Sequence, residues 1–181
     1  MPDVTPADFA RVELLVLDVD GVLTDGRIIY SDGGEEFKAF HVRDGSGLKY
    51  WRQSGKRAAI LSGRSSHAVN RRANELEIDI VIQGESEKLG AFRRILSDTG
   101  LNADQVCAIG DDLPDLPVLL ESGLAIAVAD AAPELKAVAH YVTPSAGGRG
   151  AVREAIEWLM RGQATWDAAV GSLRAEEFPS G

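Results

Sequence analysis

The sequence predicts an α/β fold: a doubly wound parallel sheet that carries a β-hairpin insertion after its first strand. Strand-like apolar segments alternate with helical segments along most of the chain, which is typical of a parallel sheet covered by helices. The apolar run of residues 14–17 has the length of a strand buried on both faces, and it ends at closely spaced aspartates. Two β-prone segments around an Asp-Gly-Gly turn follow directly and predict the hairpin at about residues 26–40.

The length and composition fit one globular domain. The chain has 181 residues, of which 45% are hydrophobic and 26% are charged, which is sufficient to bury a full core. We therefore expect a single domain over residues 1–181. The formal net charge of −9 opposes binding to nucleic acid or to anionic membranes, although it leaves room for a local basic pocket.

Cysteine usage and hydropathy bear on the compartment. The one cysteine, Cys107, lies in an apolar run, so the sequence excludes an intrachain disulfide and predicts a buried, unreactive thiol. No apolar run approaches the length needed to cross a membrane, and the first residues lack the pattern of a signal peptide. We therefore expect a cytoplasmic enzyme.

The remaining strands are predicted from short apolar runs that end in polar or small residues. Each run is followed by a segment with helical spacing, which again favours parallel strands joined by helices. The predicted strands after the first cover residues 56–61, 79–82, 105–109, 123–127 and 141–142.

The first helices are predicted from apolar spacing and from residues that begin or end helices. Residues 41–47 are interpreted as a polar, glycine-bearing loop that leads into a helix of about ten residues, which Gly55 ends. A helix over about residues 66–76 follows the second parallel strand. Ser86 is a suitable N-cap for the helix after the third.

The last part of the chain is predicted to contain two further helices and a tail. Pro133 occupies a position that the first turn of a helix allows. The glycine-rich segment 147–150 leads into a final helix whose apolar side chains recur at helical spacing. The tail of residues 162–181 is expected to be loosely ordered or to dock on a neighbouring molecule.

Polar side chains follow four of the predicted strands. Because the carboxyl ends of parallel strands meet at one edge of a sheet, we expect these side chains to converge. Taken singly, each has a plain structural explanation: aspartates and serines form turns, and a lysine at a helix start is usually a solvated surface residue. Their joint occurrence after consecutive strands indicates a site made of Asp18, Asp20, Ser62, Lys88, Asp111, Asp112 and Asp115.

These residue types suit phosphoryl transfer. Carboxylates from two strand ends form an all-oxygen site that fits Mg²⁺, and the absence of histidine and cysteine from the cluster argues against zinc. One carboxylate can act as a nucleophile, while a second protonates the leaving oxygen and then activates water. Ser62 supplies a neutral donor and Lys88 a positive charge to phosphoryl oxygens.

The order of these motifs resembles the haloacid dehalogenase superfamily over about residues 13–128. The Asp-Val-Asp of residues 18–20 resembles the first motif of that superfamily, Ser62 the second and Lys88 the third. The Gly-Asp-Asp-x-x-Asp of residues 110–115 resembles the fourth.

The resemblance implies a role for each matched residue. Asp18 would be the nucleophile and Asp20 the acid and base, with Ser62 and Lys88 completing the catalytic set. Mg²⁺ would be held by the Asp18 carboxylate, the Asp20 backbone carbonyl and Asp111. An aspartate two residues after the nucleophile is the pattern of the phosphatases within the superfamily.

Longer segments resemble a narrower family, the cap-less phosphatases that act on 3-deoxy-D-manno-octulosonate 8-phosphate. That resemblance implies a Rossmann-like domain with no cap and a Mg²⁺-dependent phosphomonoesterase of lipopolysaccharide sugar synthesis, acting through an aspartyl phosphate. It also implies a homotetramer assembled through the hairpins, in which a neighbouring subunit screens each active site. The matching segments cover residues 18–26, 34–40, 42–45, 110–115 and 147–154.

The implied substrate is a sugar-acid phosphate with two anionic ends, which requires cations besides the metal. Arg64 follows Ser62 and Gly63 directly, and its guanidinium suits bidentate recognition of a carboxylate. Arg149 lies in a glycine-rich segment that could close on the site. Arg43 and Arg72 are further candidates, for which the alternative is a surface salt bridge. Gly63 and these arginines (Arg43, Arg64, Arg72 and Arg149) form the predicted substrate-binding set.

Two alternatives to this function stay open. A phosphatase for a nine-carbon, sialic-acid-type sugar 9-phosphate would use the same motifs, although arginines at positions 64 and 149 favour the eight-carbon substrate. A non-catalytic assembly subunit would explain the apolar hairpin but not the full set of catalytic residue types. A phosphomutase is a weaker rival, because such enzymes usually need a cap to exclude water.

Overall fold

The computed structural model describes residues 3–177, and a parallel sheet forms its centre. Six strands lie in the spatial order β5-β4-β1-β6-β7-β8, while β2 and β3 form a separate antiparallel hairpin. The strands in chain order are β1 (Leu14–Leu17), β2 (Ile29–Tyr30), β3 (Glu36–Phe37), β4 (Arg57–Leu61), β5 (Ile80–Ile82), β6 (Val106–Gly110), β7 (Leu124–Ala127) and β8 (Tyr141–Val142).

The first strand lies in the middle of the sheet and fixes where a ligand can enter. All four residues of β1 are buried, and the strand pairs in parallel with β4 on one side and with β6 on the other. The chain builds outward from β1 through β4 to β5, then returns to β6 and builds outward on the opposite side. The strand order therefore reverses between β1 and β6, which is where open α/β sheets form their ligand crevice. The predicted doubly wound parallel sheet is confirmed.

Helices cover both faces of the sheet and complete one hydrophobic core. The core contains almost every side chain of the central strands, together with the apolar faces of the longer helices. Cys107 on β6 is fully buried, and burial raises the pKa of its thiol. The helices are α1 (Pro6–Arg11), α2 (Val42–Gln53), α3 (His67–Glu75), α4 (Lys88–Thr99), α5 (Leu116–Glu121), α6 (Pro133–Val138), α7 (Ala151–Gly162) and α8 (Trp166–Glu177).

The predicted hairpin insertion is confirmed, and most of its apolar side chains stay on the surface. Ile29 pairs with Phe37 across the hairpin, and Tyr30 pairs with Glu36. Ile28, Ile29, Tyr30 and Phe37 are between 47% and 59% exposed. Phe40, just beyond β3, is the hairpin residue that packs at the edge of the core.

Two predicted segments have a different form in the structure. The predicted loop at 41–47 is wrong, because α2 begins at Val42 and its glycines lie inside the helix. A Cβ at Gly45 would lie 2.2 Å from the guanidinium of Arg72 and 3.2 Å from Cδ2 of Leu76, so the glycine allows these side chains to pack closely on α2. The predicted tail is helical through α8, and Trp166 is buried on the core, whereas residues 178–181 lie outside the described part of the chain.

The helices are short compared with the thickness of a membrane. Among residues 3–177, none of them is both long enough and apolar enough to cross one.

Candidate active site

A cavity of about 540 Å³ opens at the carboxyl ends of β1, β4 and β6. Its position is the one predicted by the reversal of strand order, and it collects each of the polar clusters that follow those strands. The residues that line it are Asp18, Asp20, Gly26, Ser62, Gly63, Arg64, Glu85, Ser86, Lys88, Asp111, Asp112, Pro114 and Asp115.

The loop after β1 brings the two strand ends together. Its turn is closed by the Thr24 N–H, which donates to the carbonyl of Val19 at 3.0 Å. Gly21 has a φ of +104°, a conformation that side chains other than hydrogen rarely allow. A Cβ at Gly21 would lie 2.0 Å from Oδ2 of Asp111, so glycine is the residue that lets this loop approach the carboxylate from β6.

A buried lysine joins two carboxylates at the floor of the cavity. The Lys88 Nζ, at the first residue of α4, donates to Asp18 Oδ1 at 2.7 Å and to Asp115 Oδ1 at 2.6 Å. The other oxygen of Asp115 accepts a hydrogen bond of 3.2 Å from the backbone N–H of Asp111. Lys88, Asp18 and Asp115 are each at most 7% exposed. The short turn Leu113–Asp115 therefore places Asp115 beside a lysine from another helix.

The carboxylates of this cluster carry more negative charge than the single lysine can balance. Burial, reinforced by the Asp115 carboxylate, raises the pKa of Asp18 to about 6. Burial and the neighbouring Asp18 and Asp115 carboxylates raise the pKa of Asp111 to about 8. Burial alone would lower the pKa of Lys88, but the two carboxylates offset it and the pKa of Lys88 lies above its ordinary value. Crowded carboxylates of this kind favour a further cation.

The arrangement of the carboxylates fits Mg²⁺. Oxygen atoms of Asp18, Asp111 and Asp115 lie within 4.8 Å of one another, and every candidate donor is an oxygen. Mg²⁺ prefers such hard ligands and keeps several waters of its own. The predicted metal set names Asp20 through its backbone carbonyl. The Asp20 carboxylate accepts a hydrogen bond from Lys38.

The segment after β4 supplies neutral donors to the same cavity. Ser62 is 2% exposed, and its backbone N–H donates to the Ile82 carbonyl at 2.9 Å. The Ser62 Oγ accepts a hydrogen bond of 3.3 Å from the Arg64 N–H, and a serine hydroxyl keeps a hydrogen of its own for another acceptor. Gly63 lies between them at the cavity wall.

The hairpin reaches into the site, a contact that the sequence did not predict. The Arg64 Nη2 donates to Tyr30 Oη at 3.2 Å and to Glu36 Oε2 at 3.0 Å. The Lys38 Nζ donates to Asp20 and lies 3.0 Å from Oε1 of Glu36. The signal in the sequence was the spacing of two in Glu36 and Lys38, which places both side chains on the same side of an extended chain.

The other predicted arginines lie outside the cavity. Arg72 forms an ion pair with Glu75 at 3.2 Å and covers the ring of Phe40, with its guanidinium 5.9 Å from the ring centroid. Arg43 is an exposed residue in the first turn of α2. Arg149 lies 3.7 Å from Asp25 and keeps 64% of its side chain exposed. Of the predicted substrate residues, the structure brings Gly63 and Arg64 to the cavity.

Comparison with known proteins identifies a family with this kind of active site. The family model described as a haloacid dehalogenase-like hydrolase matches residues 78–156. The chain is 46% identical to 3-deoxy-D-manno-octulosonate 8-phosphate phosphatase KdsC of Yersinia pestis over 162 residues, which are 90% of this chain and 87% of that protein. It is 47% identical to the phosphatase of the same name from Escherichia coli strain K12 over 161 residues, covering 89% of this chain and 86% of that one.

A solved structure is similar over nearly the whole chain. It is the 3-deoxy-D-manno-octulosonate 8-phosphate phosphatase of Moraxella catarrhalis in complex with a magnesium ion, a phosphate ion and a KDO molecule. The TM-score is 0.91 and the identity is 42%, with 93% of this chain and 97% of that chain covered. The chain therefore belongs to the haloacid dehalogenase-like hydrolases, in the family of 3-deoxy-D-manno-octulosonate 8-phosphate phosphatases.

Proposed function

We propose that the chain is a Mg²⁺-dependent phosphatase that hydrolyses 3-deoxy-D-manno-octulosonate 8-phosphate to the free sugar acid and phosphate. The observation that carries the proposal is the buried cluster in which Lys88 bridges Asp18 and Asp115 beside Asp111, on the floor of an open cavity. The relatives named for this activity and the related structure that holds magnesium, phosphate and KDO support it. The reaction belongs to the synthesis of the sugar acid of lipopolysaccharide.

The first step transfers the phosphoryl group to Asp18. A carboxylate oxygen of Asp18 attacks phosphorus, and the bond between phosphorus and the sugar oxygen breaks. Asp20 donates a proton to the departing oxygen, which leaves as the hydroxyl of the sugar acid. Ser62 and Lys88 hold the phosphoryl oxygens, because the hydroxyl offers a donor and the ammonium a fixed positive charge beside the nucleophile.

The second step returns the enzyme to its starting state. Asp20, now a carboxylate, takes a proton from a water molecule as the water oxygen attacks phosphorus of the aspartyl phosphate. The bond between phosphorus and the Asp18 oxygen breaks and phosphate is released. The same carboxyl group therefore acts first as an acid and then as a base.

The metal site supplies the charge balance for both steps. Asp18, Asp111 and the backbone carbonyl of Asp20 would hold Mg²⁺, with Asp115 fixing Lys88 and the Asp111 backbone beside them. When bound, the ion neutralises the repulsion between the attacking carboxylate and the phosphate and stabilises the charge that develops during transfer.

Arg64 is the proposed partner of the substrate carboxylate. Its guanidinium lies at the wall of the cavity with 41% of the side chain exposed, so an anionic ligand can reach it. Its hydrogen bonds to Tyr30 and Glu36 hold it at the cavity wall, where its Nε lies 3.9 Å from Oδ2 of Asp20. A substrate with a phosphate at one end and a carboxylate at the other would place its phosphate at Lys88 and its carboxylate at Arg64, which line the same cavity.

The test is phosphate release from 3-deoxy-D-manno-octulosonate 8-phosphate, with Mg²⁺ and with EDTA, beside a nine-carbon sugar-acid 9-phosphate. We expect Mg²⁺-dependent release with a clear preference for the eight-carbon substrate. A preference for the nine-carbon substrate would keep the mechanism and change the substrate. No release from either would favour a non-catalytic assembly subunit and contradict the proposal.

We further propose that the chain works as one catalytic domain in a homotetramer joined through the hairpins. The half-exposed side chains of Ile28, Ile29, Tyr30 and Phe37 form an apolar face beside the cavity mouth that a second copy would cover. The single cysteine, buried and unpaired, is compatible with the reducing cytoplasm that we propose as the compartment.

A further inference from the structure

We propose that Lys38, on the hairpin, is a positioning residue for Asp20, and that it assigns the two oxygens of that carboxyl group to different tasks. Oδ1 of Asp20 is held by Lys38, and Oδ2 carries the proton to and from the substrate. This inference rests on the phosphatase activity proposed above and adds a residue to its machinery.

The contacts of Lys38 are those of a fixed group rather than a solvated one. Its Nζ donates to Asp20 Oδ1 and lies 3.0 Å from Oε1 of Glu36. The side chain of Lys38 is 1% exposed, while those of Asp20 and Glu36 are each 18% exposed. A buried lysine held between two carboxylates cannot leave them without an unpaired charge being left behind.

The two oxygens of Asp20 have different surroundings. Within the described part of the chain, Oδ2 is a buried atom with no hydrogen-bond partner. The Nε of Arg64 lies 3.9 Å from it, beyond hydrogen-bond distance. Oδ2 is covered in this structure, but no protein group in the described residues donates a hydrogen bond to it. Since Lys38 holds Oδ1, Oδ2 is the oxygen of this cavity-lining residue that keeps an open position for the proton.

A fixed carboxyl group matters for the proposed reaction because proton transfer depends on geometry. The acid must lie within hydrogen-bond reach of the leaving oxygen, and a displacement of about 1 Å can cost roughly 10²-fold in rate. Asp20 lies in the turn after β1 rather than in a strand. The hydrogen bond from Lys38 restrains its side chain from outside the sheet.

The same end of the hairpin also orders Arg64. Glu36 lies in β3, two residues before Lys38, and it accepts a hydrogen bond of 3.0 Å from Arg64. One pair of side chains thus links the acid and base of the reaction to the proposed substrate arginine. The hairpin is therefore part of the active site of its own chain, besides any part it has in assembly.

The first experiment uses the leaving group as a probe of proton donation. A sugar alkoxide needs a proton to depart, whereas p-nitrophenolate does not, so loss of a positioned acid affects kcat/KM for the sugar phosphate selectively. We expect Lys38→Met to lower kcat/KM for 3-deoxy-D-manno-octulosonate 8-phosphate by about tenfold or more, within the range of about 10² to 10⁴ that a general acid supplies. For p-nitrophenyl phosphate, kcat/KM should change little.

The matched control is Lys56→Met. Lys56 also forms a partly buried lysine–carboxylate pair, with Glu13 at 2.8 Å, but lies just before β4, at the end of the sheet away from the cavity. Lys56→Met should leave kcat/KM unchanged for both substrates. Equal losses for the two substrates with Lys38→Met would overturn the proposal, because they would indicate a general structural defect.

A double-mutant cycle with Asp20 tests whether Lys38 acts through that residue. In the background of Asp20→Asn, adding Lys38→Met should cause little further loss of kcat/KM for the sugar phosphate, because the group being positioned is already gone. Additive losses would overturn the proposal. Affinity for Mg²⁺, measured by calorimetry, should be unchanged by Lys38→Met.

The outcome is separable from the fate of the proposed function. If the wild-type protein hydrolyses a different alkyl phosphate, that substrate replaces the sugar-acid phosphate in the double-mutant cycle. The comparison of its kcat/KM with that for p-nitrophenyl phosphate still decides the role of Lys38. If Lys38→Met does not fold, as judged by thermal unfolding, Lys38→Gln keeps a donor without the charge. For Lys38→Gln we expect a smaller decrease of kcat/KM that is still selective for the alkyl phosphate. An unchanged kcat/KM for that substrate would contradict the proposal.

Discussion

The ammonium of Lys88 and the carboxylate of Asp18 form a buried hydrogen bond of 2.7 Å, although 70 residues separate them in the chain. The contact joins the start of α4 to the end of β1, so the proposed nucleophile and its counter-charge come from different parts of the sheet. Lys88 also bonds to Asp115, and one cation therefore restrains two carboxylates. Stability and catalysis consequently depend on the same side chain.

Replacing Lys88 should lower the free energy of unfolding. Lys88→Met leaves Asp18 and Asp115 buried without their cation, and breaking a buried pair in this way costs about 3–5 kcal/mol. We expect the free energy of unfolding in metal-free buffer near neutral pH to fall by an amount of that order in a urea titration. Lys56→Met, whose partner Glu13 is 40% exposed, should cost no more than about 1 kcal/mol. Equal losses for the two variants would contradict the central role given to the Lys88 cluster.

Replacing the nucleophile should abolish turnover and leave the fold intact. Asp18→Asn removes the attacking oxygen, and loss of a nucleophile lowers kcat by roughly 10⁴ or more. It also removes one charge from a crowded set of carboxylates, so the thermal midpoint should not fall. Steady-state phosphate release and a melting curve measure the two effects, with Asp98→Asn on the exposed face of α4 as the control. Turnover at the wild-type rate would rule out Asp18 as the nucleophile.

Gly21 should be required for the geometry of the carboxylates rather than for folding. Gly21→Ala places a Cβ 2.0 Å from Oδ2 of Asp111 and must displace it. We expect weaker Mg²⁺ binding and a loss of kcat of roughly 10²-fold.

The matched control for that change is Gly55→Ala. Gly55 has a comparable φ of +83°, but a Cβ added there would have nothing within 4 Å, so this variant carries the backbone cost without the collision. Gly55→Ala should lose about 1 kcal/mol of stability through the backbone alone, and Gly21→Ala should lose at least as much. If Gly55→Ala lowered Mg²⁺ affinity as much as Gly21→Ala, the collision with Asp111 would not be the cause.

The parallel sheet and the cluster at its edge could be predicted because they follow from local signals. A buried strand that ends in polar residues indicates both the strand and the side of the sheet on which those residues lie, as β1 with Asp18 demonstrates. The start of α2 could not be predicted, since a glycine that breaks a helix and a glycine that allows close packing look the same in sequence. At Gly45 and Gly47 the second reason applies, because Arg72 and Arg153 occupy the space that a side chain would need.

The contact between Lys38 and Asp20 could not be predicted from the sequence, for a different reason. Alternation along an extended chain places Glu36 and Lys38 on one side of the hairpin, but it does not reveal which residues that side contacts. A hairpin joined to the domain by loops can pack in several directions. Only its three-dimensional position identifies Asp20 and Arg64 as the partners.

The buried carboxylates should make the protein less stable as pH rises, which is the opposite of the usual effect of carboxylates in ion pairs. The folded state raises the pKa of Asp18 to about 6 and that of Asp111 to about 8, from an ordinary value of 3.8, so the folded protein holds these protons more tightly than the unfolded chain. Their contribution to the free energy of unfolding is therefore lost as pH rises from about 4 to about 8 in metal-free buffer. Asp111→Asn should flatten that decline in urea titrations.

Mg²⁺ binding should restore the stability that the protein loses when these carboxylates are deprotonated. Binding at 100 times the dissociation constant adds about 2.7 kcal/mol to the free energy of unfolding. Protons compete for the same oxygens, so at a fixed Mg²⁺ concentration the added stability should grow between about pH 5 and about pH 8. Urea titrations with Mg²⁺ and with EDTA at both values measure it. An increment that does not change with pH would indicate that the ion binds elsewhere.

The proposed assembly predicts that one charge on the hairpin will dissociate the oligomer. Ile29 is 48% exposed and pairs with Phe37 across the hairpin, so Ile29→Asp would place a carboxylate in the middle of the apolar face. We expect sedimentation equilibrium to give a tetramer for the wild type and smaller species for the variant, because an unpaired charge is costly to bury in an interface. Leu120→Asp is the matched control, since Leu120 is 64% exposed and belongs to α5 rather than to the hairpin. A wild-type protein that sediments as a monomer at micromolar concentration would contradict the assembly, while a tetramer insensitive to Ile29→Asp would move the interface to another surface.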